Sequence, residues 1–567
     1  MHLKKTRRNG RIYLSVVQNY REGGRTRTKT IESIGYVDTL GKTYSDPIAH
    51  FQAYVESLNE QRRAQNPPIE LRFAADSEID PDHVASARWG CAIALAYLDA
   101  LGVHDYFDAR AGHRGFPPHA GRIFELLASE RIIHVASKRE SWERRASFPR
   151  PCNFSLTEVY QALPCFAAHD EGLIRAMNAA YRRIRGSRRR AQTYVVLSPA
   201  AFAETGDVAS AHKAAASQVG GMAMILDEDT IPVSYRFVSS RPTPDEFAAL
   251  AREARRDTGA ARAVVIASRA SDIEQTMAAL GAQGDGFIFY RPLKSAVPEL
   301  QSWVDDPQGY IATQSGSYKV KSRLTSVNAS DATVPVKELV LWGRDFAQRT
   351  RLRRTNAVEQ RSTPPETGRE DASLAPVDQL SVTEAHLVDS RSGEPPLASG
   401  KANTSKDADD PRHSHRAAPP ADLDGYLYLV TSETKQPEAV IFHLYREIWR
   451  LAEPFQVLES DFSPSPYPVS HDQHIQAHFL ICYTAFFALR LLRADMGWRY
   501  NAAQVADALL RMEGAYLDEN WFLFSYRSDI TDAIEEAAGV DVARRLRTPP
   551  EIRRDIARAR SHIEHSE

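Results

Sequence analysis

Hydrophobic and polar positions alternate at the start of the chain. Arg11-Ile-Tyr-Leu-Ser-Val-Val and Arg25-Thr-Arg-Thr-Lys-Thr-Ile-Glu each carry the period of a strand, and Glu22-Gly23-Gly24 is the hairpin turn between them. Residues 1–48 are therefore expected to form a small β unit. From 80 to 190 the apolar period lengthens to that of helices. Pro81 to Leu101 predicts a long amphipathic helix, Ser155-Leu-Thr-Glu158 a capping box opening a second, and Asp170 to Arg185 a third.

Beyond 190 the pattern changes again. Thr193-Tyr-Val-Val-Leu-Ser, Val219 to Leu226 and Ile231 to Val238 read as three strands, the last two joined by the turn Asp227-Glu-Asp-Thr. A helix over Pro244 to Asp257, a strand from Ala263, a helix from Asp272 to Leu280 and a strand from Gly286 follow. Three strands and then helix, strand, helix, strand predict an α/β sheet whose first strands are antiparallel. The stretch 355–421 is rich in Pro, Ser, Thr and acids, as in Ser362-Thr-Pro-Pro-Glu. It holds too little apolar surface to offset chain entropy and is expected to be a disordered insertion. Order resumes with a strand at Gly425-Tyr-Leu-Tyr-Leu-Val-Thr, and Pro437 to about residue 515 reads as helix.

Composition narrows the class. At 567 residues the chain is too long for one core, and 43% hydrophobic with 25% charged residues is globular. Acids number 73 and Lys+Arg 71, so global charge proposes no partner. Cys91, Cys152, Cys165 and Cys482 form no CxxC pair, which fits a reducing cytoplasm and neither a zinc ribbon nor a disulfide framework. The start does not read as a secretory signal, and Ala477 to Leu492 is shorter than a membrane span and holds His478 and Arg490. No phosphate-cradling glycine loop, nucleophile elbow or HExxH is present.

Charge is uneven locally. Lys4, Lys5, Arg7, Arg8, Arg11, Arg21, Arg25, Arg27 and Lys29 crowd the first β unit, either as a solvated face or as contacts to phosphate backbone. Arg182, Arg183, Arg185, Arg188, Arg189 and Arg190 follow a helix C-terminus, where the helix dipole favours cations anyway.

In order along the chain, Lys4-Lys-Thr-Arg-Arg-Asn-Gly-Arg-Ile-Tyr-Leu-Ser, Ser33-Ile-Gly-Tyr, Ile225-Leu-Asp-Glu-Asp-Thr-Ile-Pro-Val, Tyr445-Arg-Glu-Ile-Trp-Arg-Leu, Ala477-His-Phe-Leu-Ile-Cys and Tyr526-Arg-Ser-Asp-Ile-Thr-Asp resemble the DDE insertion-sequence transposases. The resemblance implies an RNase H-like mixed-sheet core in 191–354, completed by 422–567 and preceded by a helical DNA-binding or dimerisation region in 80–190. It implies DNA strand cleavage and joining by two metal ions such as Mg²⁺, held by two Asp and one Glu. The positions corresponding to those carboxylates are Val196, Ser268 and Ala452. Ala270 stands where a glycine usually follows Asp-Arg, and Tyr445 matches while Ile448 and Glu459 depart from the late-helix motif. His212-Lys-Ala-Ala-Ala keeps the base of another family segment and loses its acid.

Neighbouring acids do not replace them. Glu453 is turned about 100° from residue 452 on a helix and precedes Pro454. Asp272 is placed to cap a helix, and Asp227 and Asp229 lie in a turn. Among His471, His474, His478 and Cys482, only His474 and His478 could share an ion, because 471 to 482 spans about 16 Å of helix. Tyr445, Arg446, Trp449 and Arg450 border the implied cleft, with Arg446 and Arg450 four apart and able to reach phosphates. The expectation is a cytoplasmic transposase homologue, catalytically inactive because the carboxylates are replaced, that binds insertion-sequence ends, forms homo-oligomers or mixed oligomers, and needs no cofactor. An active Mg²⁺-dependent enzyme and a decaying pseudogene product are the alternatives.

Overall fold

The computed structural model describes residues 2–8, 10–22, 25–65, 86–113, 116–186, 190–199, 221–239, 241–268, 270–293, 298–312, 318–329, 332–344, 347, 425–447, 471–517 and 520–565. The expected insertion at 355–421, Ala452, Arg450 and the His212 segment lie outside them. The chain divides into two compact units, 1–159 with 491–567, and 160–490. The last 77 residues thus group with the N-terminal unit, where the sequence reading joined them to the sheet.

The first unit opens with a three-stranded antiparallel sheet of β1 (His2–Arg8), β2 (Arg11–Glu22) and β3 (Arg25–Tyr36), followed by α1 (Pro47–Gln65). β1 was not anticipated, because Leu3-Lys-Lys-Thr has little apolar alternation; its pairing with β2 makes it a strand. Where an amphipathic helix from Pro81 was expected, β4 (Ser86–Arg88) precedes the shorter α2 (Trp89–Ala100). All twelve residues of α2 are buried, so it is apolar all round rather than amphipathic. α3 (Val103–Asp108), α4 (Ala120–Ile133) and α5 (Lys138–Glu143) follow.

The second unit begins in α6 (Leu156–Ala168), whose capping box forms as expected: Glu158 N–H donates to Ser155 Oγ and Ser155 N–H to the Glu158 carboxylate. After α7 (Asp170–Arg185) come β5 (Gln192–Pro199), β6 (Gly221–Leu226), β7 (Pro232–Val238), α8 (Pro244–Thr258), β8 (Arg262–Ala267), α9 (Ile273–Ala282) and β9 (Gly286–Tyr290). α10 (Pro298–Asp305), β10 (Ile311–Ala312), β11 (Tyr318–Ala329), β12 (Ala332–Gly343), β13 (Tyr426–Thr431), α11 (Glu438–Tyr445) and α12 (His471–Asp495) complete it. One nine-stranded sheet runs β10-β11-β12-β13-β9-β8-β5-β6-β7. Its first five strands in sequence stand in the order third, second, first, fourth, fifth. The first three are antiparallel neighbours, and β5–β8 and β8–β9 are parallel.

Alternation sorts the sheet's side chains. Val195, Leu197, Val265 and Ala267 join one core with Phe247 and Leu250 of α8 and Met277 and Leu280 of α9. Val196 takes the other face, paired with Met224 and Ile266. On that face Tyr235, the partner of Met224, meets Tyr483 of α12 at 5.4 Å between ring centres. α12 is long and apolar enough to cross a membrane, contrary to the length read from the sequence, and its apolar residues are buried within the protein.

The chain returns to the first unit through α13 (Ala502–Arg511), β14 (Glu513–Tyr516), β15 (Phe522–Phe524), α14 (Asp529–Ala538), β16 (Leu546–Arg547) and α15 (Pro549–His565). β14 pairs with β4, a partner some 427 residues away that no local pattern could announce. α13 and α15 pack on α2. Gly90 permits the first contact, since a Cβ there would fall 1.9 Å from the Leu509 carbonyl oxygen.

Candidate functional site

The first candidate is the cationic sheet. Lys4, Lys5, Arg7 and Lys29 are exposed and make no ion pair with a described residue. Lys4 faces away from Lys5 and Arg7, because neighbouring residues of a strand point to opposite sides. The run of cations in sequence is therefore divided between two faces. Arg11 is engaged internally: its guanidinium pairs with Asp38 at 2.5 Å, donates to Thr39 Oγ1 at 3.1 Å and stacks 4.4 Å over Tyr36. That contact holds the Asp38 carboxyl below its usual pKa. Arg11 thus ties β2 to the segment after β3. Arg8, Arg25 and Arg27 lie in β1 and β3, their side chains outside the described residues.

The second candidate is the end of the central sheet. Val196 lies on β5 opposite Ile266 of the parallel neighbour β8, and Ser268 is one residue beyond β8. Neither can ligate a hard cation as a carboxylate does. Val196 is fully buried and Ser268 half-buried. Ala452 cannot be added to this geometry. Tyr445, on the helix that would lead to it, is buried at the end of α11, and Arg446 caps that helix, half-buried.

Nearby acids have other work. Asp272 caps α9, accepting from Gln275 N–H at 3.0 Å. Asp227 accepts from Tyr181 Oη, Asp229 N–H and Ile231 N–H and pairs with Arg190 at 2.7 Å. Burial raises its pKa against the opposing pull of Arg190. It follows Leu226, which pairs with Tyr194, so it lies about three residues, or about 10 Å, down β5 from Val196. Glu447 is fully buried against Arg490 of α12, whose guanidinium also donates to Thr230 Oγ1 at 3.2 Å. That carboxylate already has its cation.

The histidine helix is α12. His474, His478 and Cys482 are buried there, with Cys482 Sγ 3.4 Å from His478 Nε2. Among the described residues, the one group of three possible ligands with mutually close donor atoms is elsewhere, at Asp99, His104 and Glu125 of the first unit. The sequence reading missed it, because the three sit on α2, α3 and α4 with no motif spacing. Arg150 binds Asp99 through both nitrogens and reaches Glu125 at 2.9 Å. Arg122 takes the second oxygen of Glu125 at 2.6 Å, and His104 Nδ1 lies 2.7 Å from the first. Burial pushes the Glu125 pKa up, but His104, Arg150 and Arg122 outweigh it and the net shift is downward. Burial raises Asp99 despite Arg150. With guanidinium groups on both carboxylates, a divalent cation has no place.

Residues 2–69 match the family model described as IS1634 family transposase, N-terminal domain. The matched segment is β1–β3 with α1; the nine-stranded sheet lies beyond it. No curated protein matches the chain.

Proposed function

We propose that this chain is an insertion-sequence transposase homologue that binds DNA and no longer performs strand transfer. The strand order third-second-first-fourth-fifth, with the antiparallel start and parallel continuation, supports an RNase H-like core. The loss of chemistry rests on one observation: Val196 of β5 and Ser268 just past β8, the positions corresponding to two of the family's carboxylates, carry none. Residues of this kind do not fit Mg²⁺, so no catalytic step is derived. The exposed Lys4, Lys5, Arg7 and Lys29 are the DNA contacts of this reading, with Arg446 and Arg450 secondary. DNA ends held without cleavage, alone or in mixed assemblies with an active transposase, make it a competitor of transposition.

Two titrations test it. Calorimetry with Mn²⁺ is expected to give no specific heat for the wild type and saturable binding for the V196D/S268D/A452E variant. Duplex DNA is expected to bind the wild type with an affinity that falls steeply with salt. Stoichiometric Mn²⁺ binding by the wild type, or cleavage of element-end DNA, overturns the inactive centre; absence of salt-sensitive DNA binding overturns the rest.

A further inference from the structure

The C-terminal helix presents a second cationic surface. α15 buries Ile552, Ile556, Ala559 and Ile563, spaced four, three and four apart, and packs on α2. Its opposite side carries Arg553, Arg554, Ala557, Arg558 and Ser561, all exposed.

The helix has three acids, and each is already held by an arginine. Glu551 pairs with Arg544 at 2.6 Å, Asp555 with Arg547 at 2.6 Å and Glu564 with Arg560 at 2.8 Å. Arg560 also reaches Asp105 at 2.7 Å. Arg553, Arg554 and Arg558 make no ion pair with a described residue. A helix face that serves only solubility interleaves the two signs and gains from pairs one turn apart. Here the signs are sorted: the acids are neutralised and the unpaired cations point outward.

We infer that this face of α15 is a second contact to the phosphate backbone of double-stranded DNA, an inference that rests on the DNA-binding reading above. Arg554 and Arg558 are one turn apart, about 6 Å along the axis. Each strand carries one charge per about 3.4 Å of duplex axis along a winding backbone, so that step is on the scale of the spacing between phosphates of one strand. A bilayer is the poorer partner, because the face has no large apolar side chain to insert between lipids.

The test is binding of a duplex of arbitrary sequence to the full chain over a range of salt, read by fluorescence anisotropy. R553A/R554A/R558A is compared with the wild type and with the sheet variant K4A/K5A/R7A. The helix variant is expected to melt like the wild type, bind about tenfold or more weakly near physiological salt, and lose about two to three from the slope of log K against log salt. An unchanged slope in the helix variant, with a reduced one in the sheet variant, overturns this surface and leaves the DNA reading standing. No duplex binding by the wild type overturns both. Phosphatidylglycerol vesicles serve as the competing probe: arginine-dependent vesicle binding with unchanged DNA affinity reassigns the face and overturns the inference.

Discussion

Two regions invert each other. On β5 and just beyond β8 the backbone carries Val196 and Ser268, and neither is a carboxylate. At Asp99, His104 and Glu125 the ligand atoms lie within 4.8 Å of one another, and arginines already supply the positive charge. Proximity of acids is thus no sign of a metal. What counts is which cation a site was left open to receive. The helical cluster closed itself with Arg150 and Arg122, while Val196 is a fully buried apolar side chain of the sheet.

Removing the internal cation gives the largest expected effect. Arg150→Met leaves Asp99 and Glu125 buried and under-compensated, which costs about 3–5 kcal/mol. Thermal or urea unfolding measures it, and rescue of the variant by Mn²⁺ would show that the cluster prefers a metal after all.

Val196→Asp introduces the reverse problem, a carboxyl group with no cation on the α12 face. A cost of about 2–3 kcal/mol is expected, with the new acid titrating above its ordinary range. If this single variant is as stable as the wild type at pH 7, the strand end is more open to water than its burial implies.

Asp272→Ala removes an N-cap and is expected to cost about 1 kcal/mol. It should leave the Mn²⁺ binding of the triple carboxylate variant unchanged. A drop in that binding would make Asp272 a ligand rather than a cap.

The smallest effect is His104. Its hydrogen bond to Glu125 raises its pKa above the ordinary 6.5, so the proton is bound more tightly in the folded state. The stabilisation is full below about pH 6.5 and is lost as pH rises through the raised folded value. His104 is about a third exposed, so the difference between wild type and H104N should stay under about 1 kcal/mol. Comparing their melting temperatures from pH 5.5 to 8.5 tests the sign; a gap that widens at high pH would reverse it.

Local pattern alone found much of this. The periods around Val195, Phe247, Val265 and Phe287 place β5 to β9, α8 and α9 nearly to the residue, because each element's apolar face is written in its own spacing, while α10 and β10 to β12 went unread. The caps at Ser155 and Asp272 were legible for the same reason. Legibility failed where partners are distant. β4 is a strand only because β14 lies beside it, and α2 looked amphipathic until α13 and α15 buried its remaining side.

The candidate site divides in the same way. Sequence by itself determined that residues 196 and 268 are not acids, that Lys4, Lys5 and Arg7 stand together, and which family the N-terminal segment matches. Tertiary structure decided how those charges are shared out. It committed Arg11 to Asp38, gave Glu447 to Arg490, assembled Asp99, His104 and Glu125 around Arg150, and left Arg553, Arg554 and Arg558 exposed on α15 with no ion pair to a described residue. Composition fixes how many charges a chain has; whether each is neutralised depends on distances of a few ångströms between residues far apart in sequence, and only packing sets those.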